Sequence, residues 1–150
     1  MLEQRIEQDL KAALLSGNRD QATLLRGLKS ALLYAKVAAG KRDEGLSDDE
    51  VIAVLSKEAK KRQESADLYA KGGDQSRASA ELAEKKIIET YLPAQLSEDE
   101  LKKIIDETVA QLGALDVNAL GQVIGAVKAK TAGTADGAVI ARLTKERLSQ

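Results

Sequence analysis

The residues best suited to chemistry gather late in the chain, in Gly121-Gln122-Val123-Ile124-Gly125-Ala126-Val127-Lys128-Ala129-Lys130-Thr131-Ala132-Gly133-Thr134-Ala135-Asp136-Gly137. Gly121 and Gly125 stand four apart, on one face of a helix, where each costs about 1 kcal/mol relative to alanine. Two such costs on one face predict that something approaches closely. Another helix is the favoured reading and a nucleic-acid backbone the alternative. Lys128 and Lys130 precede a helix start at Asp136-Gly137, whose free N–H groups suit a phosphate. Gly133 lies in the intervening loop, and Arg142 follows within the last helix. The segment is not a P-loop, because it lacks the lysine-Ser/Thr signature and no strand precedes it.

A second group is a basic stripe. Arg19, Arg26, Lys29 and Lys36 fall within about 100° of one another on a 3.6-residue helix. A solvated face is the simpler reading, and a phosphate-binding surface the functional one. A third group is Lys57-x-x-Lys60-Lys61-Arg62. Its lysines point outward, while Arg62 falls on the apolar side with Val51, Leu55 and Tyr69. An inward arginine needs a carboxylate, so the expectation is an ion pair to the fourth helix, with Glu81, Glu84 and Glu89 as candidates.

Composition removes whole classes of mechanism. The 150 residues contain no cysteine and no histidine, so no disulfide, thiolate nucleophile, Cys/His zinc site or Ser-His-Asp triad can form. Asp, Glu, Lys, Ser and Tyr remain, which points away from an enzyme and away from a metal or cofactor. Aromatic residues make up 2%, all tyrosine, and apolar residues 43%. A core of Leu, Ile, Val and Ala suits closely packed helices. Net charge is −1. Residues 116–150, with five basic and three acidic side chains, form the only net-basic stretch, which predicts weak or accessory nucleic-acid binding rather than a dedicated binder. No apolar run approaches a bilayer span, and Met1-Leu2-Glu3-Gln4-Arg5 carries no signal core. The expectation is a cytoplasmic protein without a membrane partner.

The elements that must position these residues are helices. Leu2, Ile6, Leu10, Ala13 and Leu14 form the stripe of a first helix, ended by Ser16-Gly17-Asn18. The second runs from about Arg19 to Ala39, before Gly40. Two capping boxes follow, Ser47 with Glu50 and Ser97 with Glu100. The first opens a helix reaching Ala70. Gly72-Gly73 ends it, and Asp74 caps a fourth helix reaching Tyr91, with Ala80, Ala83, Ile87, Ile88 and Tyr91 inward. Pro93, the only proline, interrupts the helical pattern. Beyond it Ser97, Asp116 and Asp136 cap three short helices. The predicted fold is all-α: an N-terminal helical bundle of about four helices over 1–92, a hinge at 93–96, and a C-terminal three-helix domain over 97–150.

Three stretches carry a family resemblance through their order and spacing: Leu55-x-Lys57-Glu58-x-Lys60-Lys61-Arg62-x-Glu64-Ser65, Tyr91-Leu92-Pro93-x-Gln95-Leu96-Ser97, and Gly121-x-Val123-Ile124-Gly125 followed by Ala135-Asp136-Gly137. Over nearly its full length the chain resembles the YqeY family, which is itself similar to the C-terminal tail region of the GatB subunit of the tRNA-dependent amidotransferase. That enzyme amidates Glu-tRNA(Gln) or Asp-tRNA(Asn) with glutamine as nitrogen donor. The resemblance implies a helical bundle plus a three-helix domain, and a non-catalytic, tRNA-associated accessory role. It implies tRNA as a partner, with an amidotransferase or aminoacyl-tRNA synthetase beside it. A protein–protein adaptor is the alternative. Thr134 and Ala138 stand where family members often carry a basic residue, leaving Lys128, Lys130 and Arg142 to supply charge.

Overall fold

A computed structural model describes all residues, 1–150, and is wholly helical. Seven α-helices appear in chain order: α1 (Leu2–Ser16), α2 (Arg19–Ala38), α3 (Asp48–Lys71), α4 (Gln75–Glu89), α5 (Glu98–Leu112), α6 (Leu120–Thr131) and α7 (Gly137–Leu148). Their starts follow local side-chain chemistry. The Asn18, Ser47, Asp74, Ser97 and Asp136 side chains each accept a hydrogen bond from a first-turn N–H. Both Ser–Glu pairs form complete capping boxes, which satisfies N–H groups that would otherwise lack partners. Asp116 departs from expectation. It caps a single 3₁₀ turn, Val117–Ala119, and α6 starts afterwards at Leu120 without a side-chain cap.

The chain divides into two compact units, Met1–Leu92 and Pro93–Gln150. In the first, Ile6, Leu25, Leu28, Val51, Leu55 and Ile88 are fully enclosed and form one cluster with Leu24, Leu32 and Tyr91. Tyr91 lies just past α4, where its hydroxyl donates to Asp9 of α1 and its ring lies under the Arg5 guanidinium at 4.7 Å. Burial and the neighbouring carboxylate raise the Tyr91 pKa, so its proton stays in place. The start of α1 is tied to α3 by the Leu2 N–H, which donates to Asp48 at 3.0 Å.

The face that α4 presents to α3 differs from the sequence reading. Ala80 and Ala83 are exposed, and the enclosed positions are Ala78 and Ile88, with Glu81, Glu84 and Lys85 half-buried between them. Charge therefore replaces hydrocarbon along the middle of this hairpin. Arg62 bonds Glu58 of its own helix at 2.5 Å and Glu84 of α4 at 3.3 Å, and Lys85 donates to Gln63 at 2.8 Å. The expected pair to α4 is present, and Glu58 is an additional partner. Burial raises the Glu58 pKa, but bonds from Lys61 and Arg62 outweigh that and leave it below its ordinary value.

The second unit packs α5, α6 and α7 around Leu101, Ile105, Val109, Val123, Val127, Ile140 and Leu143. Residues assigned to a hinge take part in it. The Leu96 N–H donates to the Thr134 carbonyl at 2.8 Å, and the Gln95 side-chain amide donates to the Gly133 carbonyl at 3.2 Å. These bonds hold the α6–α7 loop against the segment that leads into α5.

Candidate nucleic-acid interface

On α6 the helical period separates the candidate residues. Gly121, Gly125 and Lys128 fall within about 60° of one another, whereas Lys130 lies roughly opposite them. Val123 and Val127 are fully buried, and the glycines are exposed. A Cβ placed on Gly121 or Gly125 would meet nothing within 4 Å. The expected close approach by another helix of the chain is therefore absent. What the glycines expose is a bare strip of helix backbone, with Lys128 at its end.

Lys128 reaches the start of α7. A Cβ on Gly137 would lie 3.4 Å from Lys128 Cε and 3.5 Å from its ammonium nitrogen. The ammonium thus stands beside the first turn of α7 and forms no ion pair. The N–H groups expected to take a phosphate there are largely occupied, because Asp136 accepts from Ala138 at 2.7 Å and Val139 at 3.3 Å. The carboxylate cap fills the place an anion would take. Gly133 is left-handed at φ +83°, and its carbonyl is held by Gln95. It shapes the loop, and its carbonyl is committed to the segment that leads into α5. Ala132, at φ +43°, is also left-handed, a conformation that costs a residue bearing a Cβ about 1–2 kcal/mol.

The other two cations are committed within the unit. Lys130 donates to Thr108 at 2.9 Å and Gln111 at 2.6 Å, both on α5. Arg142 pairs with Glu98 and with Glu146, and these carboxylates raise its pKa. Both were expected to supply charge at the loop, and neither does so in this arrangement. Of the three cations, only Lys128 stands on the glycine face.

The α2 stripe divides in the same way. Lys29 pairs with Glu7 at 3.0 Å, and Lys36 with Glu3 at 2.6 Å. The bond from Lys29 lowers the Glu7 pKa. These pairs line an open hollow of about 510 Å³ between α1 and α2. Arg19 and Arg26 have no carboxylate partner and line a second hollow of about 500 Å³ at the α1–α2 turn. No group of three or more carboxylates is arranged to hold a metal ion, and no helix is long and apolar enough to cross a membrane.

Thr108 and Gln111 were not singled out from the sequence, and Gln95 only as part of the Tyr91–Ser97 motif; their partners are remote in the chain and leave no local signal. Leu112 at the end of α5, Leu115 in the connection and Val117 in the 3₁₀ turn are exposed apolar residues ahead of α6.

Helix number, capping pattern and the division of the chain define an all-helical protein of two units. Comparison with known families is specific: the Yqey-like protein family matches residues 3–148. The chain therefore belongs to the YqeY family. No curated protein matches it.

Proposed function

We propose that this protein is a non-catalytic, tRNA-associated accessory protein, and that the α6 face is the surface brought against the RNA backbone. The observation that carries this reading is the open Gly121–Gly125 strip ending at Lys128. Two glycines on a solvated helix weaken it by about 1 kcal/mol each, and no side chain of the unit compensates by packing there. A partner that needs the helix backbone itself accounts for the cost. The family's likeness to the tail of the amidotransferase GatB subunit supports tRNA as that partner. With 2% aromatic residues, base stacking contributes little, so contact runs through shape and phosphates.

One ammonium on the face and two more cations committed to internal partners predict few phosphate contacts. Retardation of total tRNA should be visible at about 50 mM salt and largely lost by about 200 mM, with a log–log slope of roughly −1 to −2. Gly125→Leu should abolish the shift while the helical circular dichroism signal persists. Absence of a shift for the wild-type chain at the lower salt refutes the RNA reading.

A second reading is favoured by Leu115, 92% exposed, with Leu112 and Val117 beside it at the entrance to α6. These residues fit an adaptor that docks a protein on this end of the unit. A complex that survives nuclease treatment and is lost on Leu115→Asp supports it.

A further inference from the structure

The hollow at the α1–α2 turn carries charge of one sign only. Its volume of about 500 Å³ lies within the range of small-molecule sites. Arg19 and Arg26 line it, and no carboxylate does. Five of the chain's eight arginines, Arg5, Arg62, Arg77, Arg142 and Arg147, are ion-paired. Of the three that are not, Arg42 stands elsewhere, and the other two share this hollow. The neighbouring hollow between α1 and α2 gives the contrast, since each of its two lysines has its own glutamate. A third free donor lies between the arginines. Thr23 lines the hollow and its hydroxyl bonds nothing, whereas the helical Thr108 and Thr131 each donate to the carbonyl one turn back. On the helical period Arg19, Thr23 and Arg26 fall within a sector of about 60°, and the two arginines start about 10 Å apart along the axis. Their long side chains flank the space over Thr23.

We propose that this hollow binds a small phosphorylated molecule with at least two negative charges, independently of the α6 face. A guanidinium offers a phosphate two parallel N–H donors. Two guanidiniums and a hydroxyl approach from three directions, which suits the three oxygens of a phosphate group better than the two of a carboxylate. A singly charged ligand would leave one arginine unpaired, whereas a phosphate monoester or a diphosphate pairs with both. RNA offers one charge per phosphate and meets that demand less well. Ala13, Leu14 and Ala22 supply an apolar lining for the part of the ligand beyond the phosphate.

Inorganic diphosphate is the probe, titrated calorimetrically into the full chain at about 50 mM salt, where screening is modest. One saturable site should appear, with a Kd below about 1 mM. Arg19→Gln and Arg26→Gln should each weaken binding at least about tenfold, as loss of a charged hydrogen-bonding partner does, and Thr23→Val about two- to tenfold. Arg42→Gln removes the same charge from an unpaired arginine outside the hollow, and should change binding less than about twofold. Arg19, Thr23 and Arg26 are exposed, so the variants should fold, which circular dichroism verifies. No saturable binding by the wild-type chain up to about 10 mM diphosphate overturns the proposal. So does equal weakening by Arg42→Gln and Arg26→Gln, which would mean attraction by diffuse charge. Total tRNA tests the other source of phosphate. A tRNA shift lost in Arg19→Gln and Arg26→Gln, with no diphosphate bound by the wild type, assigns the hollow to the RNA backbone and overturns the small-molecule site.

Discussion

On α2, Lys29 and Lys36 meet glutamates of α1 at 3.0 and 2.6 Å, whereas on α6 Lys128 meets no carboxylate and shares its face with two bare glycines. Both helices carry basic residues at helical spacing, and their neighbours differ. In the first unit a long helix lies alongside α2 and supplies anions at matching height. In the second, the outward side of α6 has no neighbouring helix, and only Lys130, on the side facing α5, finds partners. A cation's availability to an outside ligand thus depends on what packs beside its helix. The first unit uses cations to join helices, and the second leaves one cation and a strip of backbone open.

The largest expected effect tests the joining role in the first unit. Arg62→Ala removes a cation whose side chain is 19% exposed and leaves Glu58, 12% exposed, with Lys61 alone. Urea unfolding should show a loss of about 2 kcal/mol, below the fully buried case because water reaches Glu84. Lys61→Ala, at a 67% exposed position, should change stability by less than about 0.5 kcal/mol. Equal small effects would break the comparison. The pH dependence follows in sign. The folded pKa of Glu58 lies below its reference value of 4.5, so its contribution is present above pH 4.5 and fades as pH falls through the folded value. Arg62→Ala should flatten that acid limb of the wild-type stability curve.

The next effect has the opposite sign and tests the open face of the second unit. Gly121→Ala and Gly125→Ala together should stabilise the protein by about 1–2 kcal/mol, because neither Cβ meets a neighbour and neither glycine has a positive φ. A thermal melt that moves downward would mean the strip is already occupied.

The capping boxes provide an internal control across the two units. Ser47→Ala and Ser97→Ala should each cost about 1 kcal/mol, since the same bonds form at both sites, Glu50 N–H to Ser47 at 3.2 Å and Glu100 N–H to Ser97 at 3.2 Å. A marked difference would show that one box is reinforced by its surroundings.

The smallest stability effect is the sharpest test of the open cation. Lys128→Ala should leave stability within about 0.5 kcal/mol and lower the tRNA salt slope by roughly one unit. Lys130→Ala should lower stability by about 0.5–1.5 kcal/mol, through its lost bonds to Thr108 and Gln111, and leave the slope nearly unchanged. Reversal of that pattern would assign the contact to the wrong side of α6.

Much of the architecture is a property of the sequence alone, because it follows from interactions a few residues long. Ser47–Glu50, Ser97–Glu100, Asp74 and Asp136 cap helices through bonds spanning two or three residues, and Pro93 blocks helix continuation whatever surrounds it. The inward position of Arg62 was legible for the same reason, since the helical period sets it beside Val51 and Leu55. Tertiary structure alone decided which cations are free. Glu3 and Glu7 lie more than twenty residues from the lysines they neutralise, and Glu98 lies 44 residues from Arg142. The strength of a charge pair depends on separation in space, and no spacing rule along the chain encodes that distance. The glycine strip follows the same logic. The period placed Gly121 and Gly125 on one face, but only the positions of α5 and α7 determined that nothing in the unit covers it.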